Sequence, residues 1–240
     1  MNELLASTQD LSAALRGLSF APPVACVYRP LEYAWPSHRR YLETFGQGHK
    51  RVLFLGMNPG PFGMVQTGVP FGEVTAVRDW MGIHDPVGKP APEHPKRPVE
   101  GFACTRSEVS GRRLWGLFAQ RFGTADAFFK QHFVLNYCPL VWMSASGANL
   151  TPDHLPAAEM APVEQACLNY LARIIELIRP SFLIGVGAFA EERLRRAADA
   201  CTSSAQIGRI LHPSPASPAA NRGWAQTTSR QLSELGVWTA

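Results

Sequence analysis

Two asparagines and one histidine stand where apolar runs give way to glycine and proline: Asn58 in "GMNPGPFG", Asn136 in "NYCPL" and His212 in "LHPSPASP". A primary amide offers one acceptor and a pair of donors but takes no proton at neutral pH. It can hold and orient water or read a polar edge, but it cannot act as a base. An imidazole can donate, accept or exchange a proton near neutral pH. Taken singly, each also suits a structural part, the asparagines as turn or cap residues and the histidine as a structural or solvated ring.

The stretch "GMNPGPFGMVQTGVPFGEV", residues 56–74, places five glycines and three prolines around Asn58. Pro59 and Pro61 each push the preceding residue toward extended geometry and remove a backbone donor, so the chain cannot run from "RVLFLG" straight into a helix. Gly60 and Gly63 allow a bound group to approach closely or the backbone to take a positive φ. The product is a stiff loop that presents Asn58, with Met57 and Phe62 beside it. No Gly-Lys-Ser/Thr follows, which excludes a phosphate-binding P-loop, and the glycines miss the G-x-G-x-x-G spacing of a dinucleotide site. The chain after His212 is stiffened in turn by Pro213, Pro215 and Pro218.

The elements that must position these loops follow from the hydrophobic pattern. Three apolar runs read as buried strands, at 51–56, 132–138 and 181–187, and a weaker fourth spans 206–212. Helical patterns fall at 73–81, 112–122, 158–178 and 188–200, and Ser217 as N-cap with Pro218 at the first position starts another that should run to about residue 235. Alternating strands and helices imply an α/β fold of three layers, with a central, mainly parallel four-stranded sheet between helices. Ligands in such folds bind beyond the carboxyl ends of the strands, which selects the loops 57–71, 136–140 and 212–218. The whole chain, 1–240, reads as one domain, with residues 1–20 forming an amphipathic helix and the proline-rich 85–98 an extended surface loop.

The composition narrows the class. With 46% hydrophobic and 18% charged residues, an intrinsically disordered chain is excluded. A net charge of +4 permits a nucleic-acid partner without establishing one. Five scattered cysteines with no C-x-x-C pair read as buried free thiols, a cluster built on four of them being the alternative. The amino terminus mixes acids and Arg16 with spaced leucines, unlike a signal peptide. No apolar run approaches the roughly 20 residues needed to span a bilayer. The expectation is an intracellular protein, cytoplasmic in a bacterium or nuclear in a eukaryote, without membrane association.

The stretch 56–74 together with "HPSPASPAANRGW" closely resembles the two signature motifs of the single-strand-selective monofunctional uracil-DNA glycosylases, a branch of the uracil-DNA glycosylase superfamily. The likeness extends through "EYAW", "EHPKRPVEG", "SEVSGRRLWG", "NYCPL" and "NLTPDHLP", from about residue 30 to the end. It implies a DNA-repair enzyme that acts on single- and double-stranded DNA as a monomer, flips uracil out and hydrolyses its N-glycosidic bond. An abasic site remains, and no metal or cofactor takes part. The implied range includes 5-substituted uracils and deaminated purines.

Carried over by position, the resemblance makes Asn58 the residue that positions the attacking water and His212 the donor to O2 of the departing base. Phe71 becomes the ring that stacks on the base, and Asn136 the amide that reads its Watson–Crick edge. Met57 and Gly60 line the pocket, where a side chain at 60 would block the space beside C5. The loop Pro213, Ser214, Pro215, Ala216, Ser217 becomes a wedge into the base stack, leading into a helix whose N-terminus meets phosphate. Lys96, Arg97, Arg106, Arg112 and Arg113 suit contacts to the DNA backbone, a merely solvated charged face being the alternative. No lysine in the motif loops stands as an amine nucleophile, which fits a monofunctional enzyme.

One position departs from the pattern. Animal members of the branch generally carry arginine where this chain has Ala216, so the group that would fill the gap left by a flipped base is missing. Weaker duplex penetration, and a preference for single-stranded or mismatched uracil, are expected. Two other readings use the same loops: a glycosylase preferring xanthine or hypoxanthine, and a catalytically silent binder of single-stranded or damaged DNA.

Overall fold

The computed structural model describes residues 2–238. Its strands, in chain order, are β1 (Cys26–Tyr28), β2 (Val52–Gly56), β3 (His132–Asn136), β4 (Val141–Met143), β5 (Asn149–Leu150), β6 (Phe182–Val186) and β7 (Gln206–Ile210). The four expected strands are present, trimmed by one or two residues. They form one sheet in the order β3-β2-β6-β7, with every neighbouring pair parallel. Every residue of β2 and of the edge strand β3 is buried, as strands covered on both faces require.

The register shows what covers each face. Phe54 lies level with Val134 and Ile184, and its ring packs 5.1 Å from Phe118 of the helix Val109–Phe122 and 6.4 Å from Phe128 of the helix Ala125–Phe129. Leu53 and Leu55 point to the opposite face with their partners Leu183 and Gly185. There the helix Ala188–Ala200 comes so near that a Cβ at Gly185 would meet the Glu191 backbone. The helix Ala157–Ile178 packs against it, and the helix Asn2–Arg16 lays Leu4, Thr8, Leu11 and Leu15 against the helix Ala157–Ile178. Three layers result.

A second sheet, order β1-β4-β5 and antiparallel, was not anticipated. Its strands are two or three residues long, too short to show alternation. Tyr28 of β1 pins the proline-rich loop: its hydroxyl donates to Arg97 O and accepts from the His94 N–H, both at 2.7 Å.

Two helical expectations need correction. The stretch 73–81 closes as a turn of π-helix over Ala76–Trp80, in which Met81 N–H bonds Ala76 O at 3.0 Å. Beyond Ser217, whose Oγ does cap Ala220 N–H at 3.3 Å, there is no single helix. A short helix Pro218–Asn221 stops, Gly223 takes φ +138°, and a new helix runs over Trp224–Glu234. Gly223, inside the helical pattern, breaks it by taking a backbone conformation that other residues rarely adopt. All five cysteines are free thiols, and among the described residues no helix is long and apolar enough to cross a membrane.

Candidate active site

The parallel pairing of β2 and β3 delivers the two asparagines side by side. Gly56 pairs with Asn136 at the strand ends, and the ladder continues outward: Tyr137 N–H bonds Gly56 O and Cys138 N–H bonds Met57 O, each at 2.9 Å. Met57, Asn58, Gly60, Phe71, Asn136 and His212 all line one cavity of about 150 Å³ at this end of the sheet. Drug-sized ligands occupy pockets of roughly 300–1,000 Å³, so this one suits a single small ring system.

Phe71 and Asn136 meet over Gly56. A Cβ on Gly56 would stand 2.5 Å from both Asn136 Oδ1 and Phe71 Cε2, so only a glycine lets the amide and the ring converge. Asn136 is buried, and its Nδ2 points at Met64 Sδ 3.5 Å away, a weak acceptor that leaves the donors available for a carbonyl. Phe71 takes φ +52°, a costly conformation for a bulky residue. Its carbonyl holds it there, accepting from Trp115 Nε1 at 3.0 Å and from Glu73 N–H at 2.7 Å.

Asn58 Nδ2 donates to Leu140 O at 3.4 Å, which turns the Oδ1 acceptor to other use. The Ser214 backbone N–H donates to His212 Nδ1 at 3.1 Å. Since an amide N–H can only donate, Nδ1 is the acceptor, and in the neutral ring the proton sits on Nε2. Burial lowers the His212 pKa below its usual 6.5, so the imidazole is neutral at physiological pH.

Pro213 is buried beside His212, while Pro215 and Ala216 are exposed at the tip of the loop. The tip is braced from within: Ser214 Oγ accepts from Ala216 N–H at 3.1 Å, and Asn221 Nδ2 donates to Pro215 O at 2.9 Å. Arg113, expected at the DNA backbone, instead reaches this loop, donating to Pro213 O at 2.9 Å and Asn221 Oδ1 at 2.8 Å. Arg112 is exposed on the same helix. Arg106 and Arg97 lie over the Phe62 ring, 4.1 and 5.8 Å from its centre, and Lys96 is exposed next to them. These cations stand outside the cavity. The helix starting at Pro218 is one turn long, too short for the phosphate site expected at its N-terminus.

Four polar side chains in the cavity escaped the reading from sequence: Glu108, Ser110, Asn149 and Thr151. They sit inside "SEVSG" and "NLT", segments that carried the resemblance but no assigned role. Glu108 changes the meaning of Gly60. A Cβ at residue 60 would stand 2.6 Å from Glu108 Oε2, so the space before this glycine already holds a carboxylate. Burial raises the Glu108 pKa, opposed by the backbone N–H groups of Ser110 and Phe62.

Known proteins share this arrangement of sequence. The family model of the uracil DNA glycosylase superfamily matches residues 43–234. A mouse (Mus musculus) protein named single-strand selective monofunctional uracil DNA glycosylase is 50% identical over 227 residues, 95% of this chain and 81% of that one. The chain belongs to the uracil-DNA glycosylase superfamily. Within the superfamily it falls in the branch of the mouse protein and its cattle (Bos taurus) counterpart, which is 50% identical over 95% of this chain and 84% of its own. The crystal structure of wild-type Pedobacter heparinus SMUG2 matches with a TM-score of 0.69 over 98% of this chain and 97% of that one. At 18% identity, that likeness speaks for the superfamily fold alone.

Proposed function

We propose that the protein is a monofunctional DNA glycosylase that removes uracil from DNA and leaves an abasic site. The observation that carries this reading is the convergence of Asn58, Phe71, Asn136 and His212 on one small cavity at the carboxyl ends of the parallel strands.

Breaking the bond between the base and C1′ leaves the electron pair on the base and positive charge on the deoxyribose, so both must be stabilised. The base stacks on Phe71 and its carbonyl and imide edge meets the Asn136 amide. His212 donates Nε2–H to O2, where negative charge develops. A neutral imidazole suits that task, because the proton is shared with the leaving base and no cation has to be buried first. Asn58 holds the water through Oδ1. Because the Asn58 amide orients that water without ionising it, the water adds to C1′ after the base has departed, and its proton passes to solvent.

A base inside a duplex must first be extruded, at a cost of a few kcal/mol that is least in single strands and mismatches. The loop at 213–217 is the wedge, and its tip residue Ala216 offers no long side chain to fill the vacated stack. Single-stranded or mismatched uracil is therefore the preferred substrate. Lys96, Arg97, Arg106 and Arg112 supply phosphate contacts around the mouth.

Rates on otherwise identical single strands carrying uracil, 5-hydroxymethyluracil, xanthine or hypoxanthine test the substrate assignment. Uracil and its 5-substituted forms should react fastest. Excision confined to the purines would overturn it.

A further inference from the structure

Arg113 acts on the loop that carries His212, and the hydrogen bonds single out one peptide plane. Its Nη1 donates to Pro213 O at 2.9 Å, and the N–H of that same peptide unit, on Ser214, donates to His212 Nδ1 at 3.1 Å. A carbonyl bound by a guanidinium is polarised, which makes the attached N–H a stronger donor. We propose that Arg113 is a positioning residue that fixes the tautomer and aim of His212 through the Pro213–Ser214 peptide. The inference rests on the reading of His212 as donor to the departing base.

The rest of the fork holds the same turn from its other side. Nη2 donates to Asn221 Oδ1 at 2.8 Å, and Asn221 Nδ2 in turn holds Pro215 O at 2.9 Å. Nη1 also reaches Ser214 O at 3.4 Å, and the three acceptors Pro213 O, Ser214 O and Asn221 Oδ1 around one turn call for the planar fork of arginine, which a lysine cannot reproduce. The same helix, Val109–Phe122, also carries Trp115, which holds the Phe71 carbonyl. One rigid element thus aligns the ring under the base and the imidazole at its edge.

Of the ionisable groups around His212, Glu108 stands across the cavity, Arg113 behind the loop, and His154 beyond Thr151, whose Oγ1 it meets at 2.8 Å. From the β6 side the ring is faced by Gly187, which is uncharged.

The test compares the wild type with Arg113→Gln and Arg113→Lys, using a uracil-containing single strand and nitrogen-15 NMR of the His212 ring in the free protein. Both variants should lose about tenfold in kcat, a fraction of what losing a preorganised donor costs, with KM held within about threefold. The dependence of binding on salt should not change. The His212 signals should move from the Nε2–H form toward a mixture of tautomers. The acid limb of kcat should shift to higher pH, since a weakened bond at Nδ1 makes protonation there easier.

An unchanged kcat with the tautomer intact overturns the inference. So does a loss confined to KM with the salt slope lowered by about 0.7, the mark of one lost phosphate contact on a single strand. Should Arg113→Gln not fold, Arg113→Lys carries the test under the same criteria. An inactive wild type would count against the proposed function instead, while the NMR would still decide whether Arg113 sets the ring.

Discussion

Glu108 Oε2 occupies the place that a side chain at Gly60 would need, 2.6 Å from where its Cβ would stand. The glycine therefore makes room for a carboxylate rather than for empty space. A carboxylate at the end of a flexible chain can move, so Gly60→Ala should fold and displace Glu108. Gly60→Tyr should fold as well and narrow the range toward plain uracil. Relative rates on uracil and 5-substituted uracils measure this, and ratios unchanged in both variants would contradict it.

His212→Ala removes the donor aimed at O2 of the leaving base. A loss of roughly 10²- to 10³-fold in kcat is expected, with affinity for a uracil-containing strand held within a few-fold. Single-turnover kinetics beside an equilibrium binding curve separate the two. A protein that merely bound damaged strands would keep its affinity and have no rate to lose.

The strands, the parallel sheet and the three loops at its carboxyl end were legible in the sequence because each rests on local signals. These are β-branched or aromatic runs for β2, β3, β6 and β7, and glycine and proline for the loops that carry Asn58 and His212. The six pocket residues were legible through the resemblance. What escaped depends on distant partners. Nothing local in "SEVSG" says that Glu108 will pack on Gly60, forty-eight positions earlier, or that Arg113 will turn its fork to the carbonyl of Pro213. The two- and three-residue strands of the second sheet are equally silent, since their pairing is decided by the fold around them.

Ala216 is exposed at the tip of the loop, where its N–H is tied to Ser214 Oγ and its side chain is free to be lengthened. Ala216→Arg should raise the rate on matched duplex uracil and slow release of the abasic product, with little change on single strands. Equal single-strand and duplex rates in the wild type, or no duplex gain in the variant, would count against the wedge.

His38 and His132 predict a loss of stability in mild acid. Each is buried with Nδ1 against a backbone carbonyl, of Gly68 at 2.7 Å and Phe128 at 2.8 Å, and with Nε2 unpartnered. Burial holds both pKa values down at about 4. The unfolded chain takes up these protons near pH 6.5, so it binds more protons than the native state below that pH, and stability falls as pH drops from about 6.5 toward 4. At pH 5 the loss is about 2 kcal/mol for each ring. Urea midpoints at pH 7 and pH 5 measure it, and replacing His38 by Gln should reduce the difference.

The most direct measurement is to incubate the purified protein, without added metal, with an end-labelled single strand carrying one uracil, and to treat half of the product with hot alkali. The strand should stay intact until alkali cuts it at the former uracil, because hydrolysis leaves an abasic site and no lysine forms a covalent intermediate. A strand uncut in both halves, or one cut equally without alkali, would contradict it.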